Sequence, residues 1–195
     1  MDLNQARFNM IEQQIRPWEV LDPQVLALLS TVRREDFVPL AHKALAFVDM
    51  EIPLGAAANQ VMLAPRVQAR LLQELALKNT DKVLDLYCGI GNFSLALAKQ
   101  AAQVVGLEGV AAMVTTASNN ASLNQLDNVL FAQADLHLAW PKAAWNQPQY
   151  QKVLLDPARA GAAGAIEQIV KLKPAQILYV SCNAATFARD AAMLL

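Results

Sequence analysis

The 195 residues are 55% hydrophobic and 17% charged, against a usual charged share of roughly 25%, and carry 16 basic and 17 acidic side chains. No charge-free apolar run reaches the about 18 residues of a membrane span. The N-terminus, MDLNQARFNMIEQQIRP, lacks the apolar stretch of a signal peptide, so a cytoplasmic protein is expected.

The first segment, residues 1–80, reads as helices with one irregular stretch. A helix over 3–16 is expected to stop at Pro17, which cannot donate a backbone N–H. Asp22 before Pro23 is an N-cap and first-turn signal for a second helix carrying Val25, Leu26, Leu28, Leu29 and Val32. Residues 51–59 (EIPLGAAAN) read as loop, followed by a short strand at 60–63. Pro65 opens a helix expected to place Val67, Leu71 and Leu75 on its apolar face.

The second segment, residues 81–195, alternates strands and helices. Short β-rich apolar runs stand at 82–86, 103–107, 128–131, 152–155 and 175–180, with helical stretches at 93–100, 110–123, 162–172 and 184–194. This pattern predicts an α/β fold with a parallel sheet covered on both faces. Two cysteines and two histidines, Cys88, Cys182, His42 and His137, are not at ligand spacing, so no metal site is expected. The balanced charge offers no basic stripe to displace counterions from phosphates, so RNA binding by the chain alone is expected to be weak.

In open parallel sheets, ligands bind beyond the carboxyl ends of the strands, so the residues after each strand carry the functional reading. After the first comes Asp85-Leu-Tyr-Cys-Gly89-Ile-Gly91. The two glycines allow a tight turn and bring backbone N–H groups near a ligand at a helix N-terminus. A dinucleotide fingerprint would want a third glycine where Ser94 stands. The acid ahead of the first glycine suits the amine of a methionine better than a pyrophosphate. Glu108 closes the second strand, where an acid can accept both ribose hydroxyls of a nucleoside; the alternative is a solvated strand-end charge. Asp135 follows the third strand, as an acceptor for an adenine amino group or as a solvated carboxylate. Asp156 follows the fourth strand and Cys182 the fifth, on the same rim. A cysteine just before a helix can have its thiolate stabilised there, or be a small buried hydrophobe.

At these residues a resemblance becomes specific. VLDLYCGIGNFSLALA, VVGLEGV, KVLLDPARAGAAG and ILYVSCNAATFARD resemble the catalytic domain of bacterial 23S ribosomal RNA uracil-5 methyltransferases. The resemblance implies a Rossmann-like class I S-adenosylmethionine-dependent methyltransferase fold with strand order 3-2-1-4-5. It implies S-adenosylmethionine as cofactor, held by Asp85, Gly89, Gly91, Glu108 and Asp135, and RNA as the ancestral substrate. In that family the cysteine matched by Cys182 attacks C6 of the target uracil, so that C5 can take the methyl group; Asp156 is placed against cofactor and base.

The first segment resembles a different family. MIEQQIRPWEVLDPQVL, REDFVPLAHKALAFVDMEIPLG and QVMLAPRVQARLL are similar to the N-terminal part of protein-L-isoaspartate O-methyltransferases. We therefore read a chimera joined near Asp81, with an N-terminal helical extension on a uracil-methyltransferase-like core. Leu63 stands where the isoaspartate family carries a hydroxyl residue, which argues against isoaspartate repair. The uracil family continues into two antiparallel strands bearing its proton-abstracting glutamate. These strands have no counterpart here, so impaired turnover is expected, and a homodimer covering the open edge of the fifth strand. Two readings remain: a cofactor-binding uracil methyltransferase derivative, or a folded recombinant of two methyltransferase fragments without enzymatic activity.

Overall fold

Asp2 caps the first helix of the computed structural model, which describes residues 2–55, 61–146 and 149–194; its carboxylate accepts from the Asn4 and Gln5 N–H groups at 3.0 and 3.2 Å. The helix α1 (Leu3–Met10) runs on through a wider turn at Ile11–Ile15 and a tight turn at Arg16–Trp18. The expected helix over 3–16 is thus α-helical in its first half only. Asp22 accepts from Gln24 and Val25 at 2.8 and 3.1 Å and starts α2 (Pro23–Thr31) with Pro23 in the first turn, as the sequence signal required.

Within the stretch read as loop, β1 (Ile52–Pro53) pairs antiparallel with β2 (Val61–Met62). Residues 56–60, including the start of the expected strand at 60–63, lie outside the described residues. The helix α3 (Pro65–Leu75) begins where Pro65 predicts, but its buried face is only partly the expected one, with Leu75 buried, Leu71 half-buried and Val67 exposed. Val67 is 39% exposed, whereas Gln68, Ala69, Leu72 and Leu75 are buried. The reason is a buried cation. The Arg34 guanidinium donates to Ala46 O at 2.7 Å, to Leu63 O at 2.6 Å and to the Gln68 side-chain oxygen, drawing a polar residue of α3 inward. Burial lowers the Arg34 pKa to about 10, with the Asp49 charge opposing, so the group remains charged at neutral pH.

The chain divides into two compact units, Met1–Ala76 and Leu77–Leu195. The second is built of β3 (Lys82–Leu86), α4 (Asn92–Ala98), β4 (Gln103–Glu108), α5 (Ala111–Leu123), β5 (Val129–Gln133), β6 (Lys152–Leu155), α6 (Ala163–Leu172), β7 (Gln176–Tyr179) and α7 (Ala184–Ala192). All neighbouring strands are parallel, in the order β5-β4-β3-β6-β7, the 3-2-1-4-5 arrangement expected. The sheet is Rossmann-like, and its order reverses between β3 and β6, which opens a crevice at their carboxyl ends.

The central strands β3, β4 and β6 are largely apolar and buried because both faces of the sheet are covered there, while β5 and β7 at the edges are part-exposed. On one face Leu84, Leu86, Val153 and Leu155 pack in one cluster with Ile166, Ile169 and Leu172 of α6 and with Trp140, Trp145 and Tyr150. The two indoles meet edge-on at 5.6 Å, and the Tyr150 hydroxyl donates to Trp145 O at 2.6 Å. The other face lies under α4 and α5, which bury Phe93, Leu97, Ala117 and Ala121. Among the described residues no helix is long and apolar enough to cross a membrane.

Removing Arg34 strands the carbonyls of Ala46 and Leu63 and the amide of Gln68 in a dry interior. Arg34→Met is expected to cost the first unit about 3 kcal/mol in urea unfolding, since each orphaned buried group costs about 1–3 kcal/mol. Arg34→Lys should recover little of this, one ammonium being unable to span three acceptors. A loss below about 0.5 kcal/mol for either variant would show that the cation is not what organises this unit.

Candidate functional site

The register of the sheet sets four strand ends side by side: Leu86 is paired with Leu107 and with Leu155, and Leu155 with Tyr179. Asp85, Gly89, Gly91, Glu108, Asp156 and Cys182 lie at these ends or in the loops that leave them, and Asp135 follows the neighbouring end of β5, where Gln133 pairs with Glu108. The turn after β3 is built from left-handed backbone at Tyr87 (φ 63°), Gly89 (φ 57°) and Gly91 (φ 88°). Cys88 N–H still bonds to Leu107 O at 3.1 Å, and Gly91 O then accepts from Leu95 at the start of α4. The two glycines serve different needs. A Cβ on Gly91 would lie 3.0 Å from the Phe131 ring, so this position is closed by packing. A Cβ on Gly89 would meet nothing within 4 Å, so this stretch of backbone faces open space.

Glu108 holds that turn in place. One carboxylate oxygen accepts from Gly89 N–H at 3.2 Å and the other from Val110 N–H at 3.0 Å. Each oxygen keeps further lone-pair capacity. Beneath the turn Asp85 is fully buried and accepts from the Ser94 hydroxyl at 2.5 Å. Burial raises its pKa to about 7; the Ser94 hydrogen bond opposes this, and the charges of Asp156 and Glu108 add to it. Glu108 and Asp156 are therefore both within electrostatic reach of Asp85. The position that lacks the third glycine of a dinucleotide fingerprint holds instead a buried serine that supports this carboxyl.

Asp135 is exposed, and its carboxylate accepts from His137 N–H at 2.9 Å. The ring of Tyr87 links the two sides of the rim. Burial pushes its pKa up to about 12, and the charges of Asp190, Asp135 and Glu108 push it further in the same direction. The Tyr87 hydroxyl is enclosed without a hydrogen-bond partner among the described residues, and its ring stands 6.4 Å from that of His137. Sequence reasoning missed Tyr87, since an aromatic residue at a strand end carries no signal that distinguishes a site from a core.

The two cysteines fall into opposite environments. Cys88 is buried, and burial together with the charges of Asp85 and Glu108 pushes its thiol up, which leaves it a protonated packing group. Cys182 is exposed after β7. Its turn is fixed by the Ser181 hydroxyl, which accepts from Asn183 N–H at 3.1 Å, and by Asn183, which caps α7 by accepting from Ala185 N–H. Asn183 also donates to Arg159 O at 3.4 Å, joining the cysteine turn to the loop that follows Asp156.

Residues 5–158 match the model of the Protein-L-isoaspartate(D-aspartate) O-methyltransferase (PCMT) family. Over 121 residues the chain is 56% identical to the 23S rRNA (uracil(1939)-C(5))-methyltransferase RlmD of Photobacterium angustum, covering 62% of this chain and 55% of that protein. The chain thus spans about half the length of this relative. The tRNA (uracil-54, C5)-methyltransferase of Pyrococcus abyssi, solved in complex with S-adenosyl-L-homocysteine, is 30% identical with a TM-score of 0.56, over 68% of this chain and 32% of that one. A protein-L-isoaspartate O-methyltransferase structure covers 95% of this chain and 56% of its own, with a TM-score of 0.65 at 16% identity, a likeness of fold alone. The chain is thus similar to two methyltransferase types, as the resemblances implied, with the isoaspartate-type match running beyond residues 1–80 into the second unit.

Two variants test the turn. Gly89→Ala should fold with a penalty of about 1–2 kcal/mol for left-handed backbone, while Gly91→Ala adds the Phe131 clash and should cost more; equal melting temperatures would contradict the packing difference. Asp85 carries a pH signature. Folded, it keeps its proton to about pH 7; unfolded, it loses it near the ordinary value of 3.8. Between those values the native state holds the extra proton, so stability falls as pH rises, by up to about 1.4 kcal/mol per unit. Asp85→Asn should remove that slope in denaturant titrations between those two pH values, and an unchanged slope would mean that Asp85 ionises normally.

Proposed function

Since the chain belongs to the protein-L-isoaspartate(D-aspartate) O-methyltransferase family, and its second unit resembles uracil-C5 methyltransferases, we propose that this unit binds S-adenosylmethionine and directs methyl transfer to C5 of a uracil in RNA. One observation carries the reading: an exposed cysteine thiol stands on the same carboxyl rim as a glycine turn whose backbone is open to a ligand. The cofactor supplies an electrophilic methyl group on a sulfonium sulfur.

The residues present fit such a cofactor. Glu108 retains acceptor capacity on both oxygens for a pair of ribose hydroxyls, and the space beside Gly89 admits a nucleoside without a side chain in the way. Asp85 offers a buried carboxyl whose raised pKa an approaching ammonium would lower, favouring the ionised form. The exposed Asp135 is an acceptor for an exocyclic amine, and Gly91 keeps α4 close under the turn.

On the substrate side, the Cys182 thiolate adds to C6 of the uracil, forming a C–S bond and placing the electron pair at C5. C5 takes the methyl group as the cofactor leaves as a neutral thioether. Loss of the C5 proton, which must precede elimination of the thiolate, has no proton acceptor assigned among the described residues, so the adduct is expected to resolve slowly. Asp156, after β6, holds the base against this rim. The isoaspartate reading, favoured by the family match over 5–158, needs no thiol at all. It predicts methylation of an isoaspartyl peptide that survives Cys182→Ala.

RNA containing 5-fluorouracil separates these outcomes, because fluorine at C5 cannot leave as a proton does and the adduct persists. With S-adenosylmethionine present, a gel-stable protein–RNA adduct is expected, absent in Cys182→Ala. Calorimetric titration with S-adenosylhomocysteine should show saturable binding, weakened about tenfold or more in Glu108→Ala by loss of a charge-assisted contact worth about 1.5–3 kcal/mol. Cofactor binding without an adduct at high RNA concentration would leave the fold and remove the uracil reading. A homodimer through β7, which is paired on one side only among the described residues, belongs to the same proposal; a monodisperse monomer in light scattering would exclude it.

A further inference from the structure

Three side chains of α7, with the asparagine that caps it, do not face the core but grip the loop that follows Asp156. Asp190 is fully buried, and one of its oxygens accepts from Ala162 N–H and from the Tyr179 hydroxyl, both at 2.6 Å. Its other oxygen accepts from Arg189 Nε at 2.8 Å. The same Arg189 donates to Ala160 O at 2.9 Å. Asn183 donates to Arg159 O at 3.4 Å, and the single proton of the Thr186 hydroxyl is shared between Arg159 O at 3.2 Å and Asn183 O at 3.1 Å. Three backbone groups of one short loop are thereby tied to α7.

The fit leaves no slack. Gly161 takes a left-handed φ of 82°, and a Cβ there would lie 2.5 Å from both Arg189 Nη2 and Asp190 Oδ2. Burial opposes ionisation of Asp190, yet Ala162 N–H, Tyr179 and Arg189 together hold its carboxyl below the ordinary value. An anion that stays ionised while fully enclosed fixes its donors tightly, since any displacement leaves a buried charge short of a partner.

We propose that Asp190, with Thr186 seconding it, is a positioning residue that sets the distance between the Cys182 turn and the loop of Asp156. The inference rests on the uracil reading of that site. Asn183, the residue after Cys182, belongs both to the cysteine turn and to the clamp, so the thiol and the base-holding loop share one rigid support. Neither Asp190 nor Thr186 touches the substrate. They act by keeping two reacting partners in register, where a misplacement of about 1 Å can cost about 100-fold in rate.

The experiment follows adduct formation on 5-fluorouracil RNA in single turnover for the full chain, Asp190→Asn and Thr186→Val. Asparagine has one acceptor oxygen and turns an amide N–H₂ toward donors. The first-order rate constant should fall by about 100-fold for Asp190→Asn and by several-fold for Thr186→Val. The final amplitude, which counts folded sites, and the half-saturating RNA concentration should stay as in the parent. Alkylation of the exposed Cys182 by iodoacetamide should also proceed at the parent rate.

A role confined to stability would lower the amplitude and the melting temperature and leave the rate constant alone; that result overturns the inference. Should Asp190→Asn fail to fold, Thr186→Val decides, because it removes one hydroxyl at nearly constant volume. An adduct in the parent with unchanged rate constants in both variants defeats the positioning role by itself. No adduct in the parent defeats the uracil reading, and this inference falls with it.

Discussion

Glu108 occupies the point on which the second unit's open rim depends, because one carboxylate spans the glycine turn after β3 and the first residues before α5. Both are places where the backbone leaves the sheet with N–H groups that the strands no longer satisfy, and those groups need a partner or water. A single side chain at the end of β4 supplies it to both. The turn can then remain open above Gly89 while Gly91 closes against Phe131 below. Without that bridge the turn would have to find its donors' partners by folding inward, into the space that a ligand needs.

The two units spend buried charge in opposite ways. In the first, Arg34 is surrounded by acceptors, and Arg7 pairs with the buried Glu35 at 2.6 Å. Each charge meets its complement, the pattern of a group that fixes a fold. Around the glycine turn of the second unit the charges of Asp156 and Glu108 act on Asp85, whose burial is offset among the described residues by hydrogen bonds from Ser94. Such an arrangement holds Asp85 protonated to about neutral pH, and a cationic ligand would favour its ionised form. On the opposite side of the rim, Asp190 shows the compensated pattern again, which suits a support rather than a binding group.

How much of this was legible depended on whether a residue's role was local. The runs 82–86 and 152–155 are strands from end to end, legible because a parallel strand buried on both faces is mostly apolar, with Lys82, Asp85 and Lys152 as the exceptions. Caps at Asp22 and turns at Gly89 and Gly91 were equally readable, since their partners lie within a few residues. The face of α3 was partly misread because Gln68 is drawn inward by an arginine far away in the chain. The segment holding Trp140, Trp145 and Tyr150, which covers one face of the sheet, has no period to betray it. Ser94 looked like a missing glycine and is a buried donor. Asp190 sat inside a recognised motif, yet only long-range partners define what it does.

The same distinction bears on how two sequence types can share one chain. Asp81, just ahead of β3, accepts from Lys78 N–H at 2.9 Å and lies 3.5 Å from the Lys152 ammonium, and its carbonyl accepts from Ala102 N–H. The start of the central strand is thus anchored by residues of its own unit, on β6 and before β4. What precedes it in sequence is not asked to set its register. Related folds can exchange material at such a point because the sheet carries its own alignment.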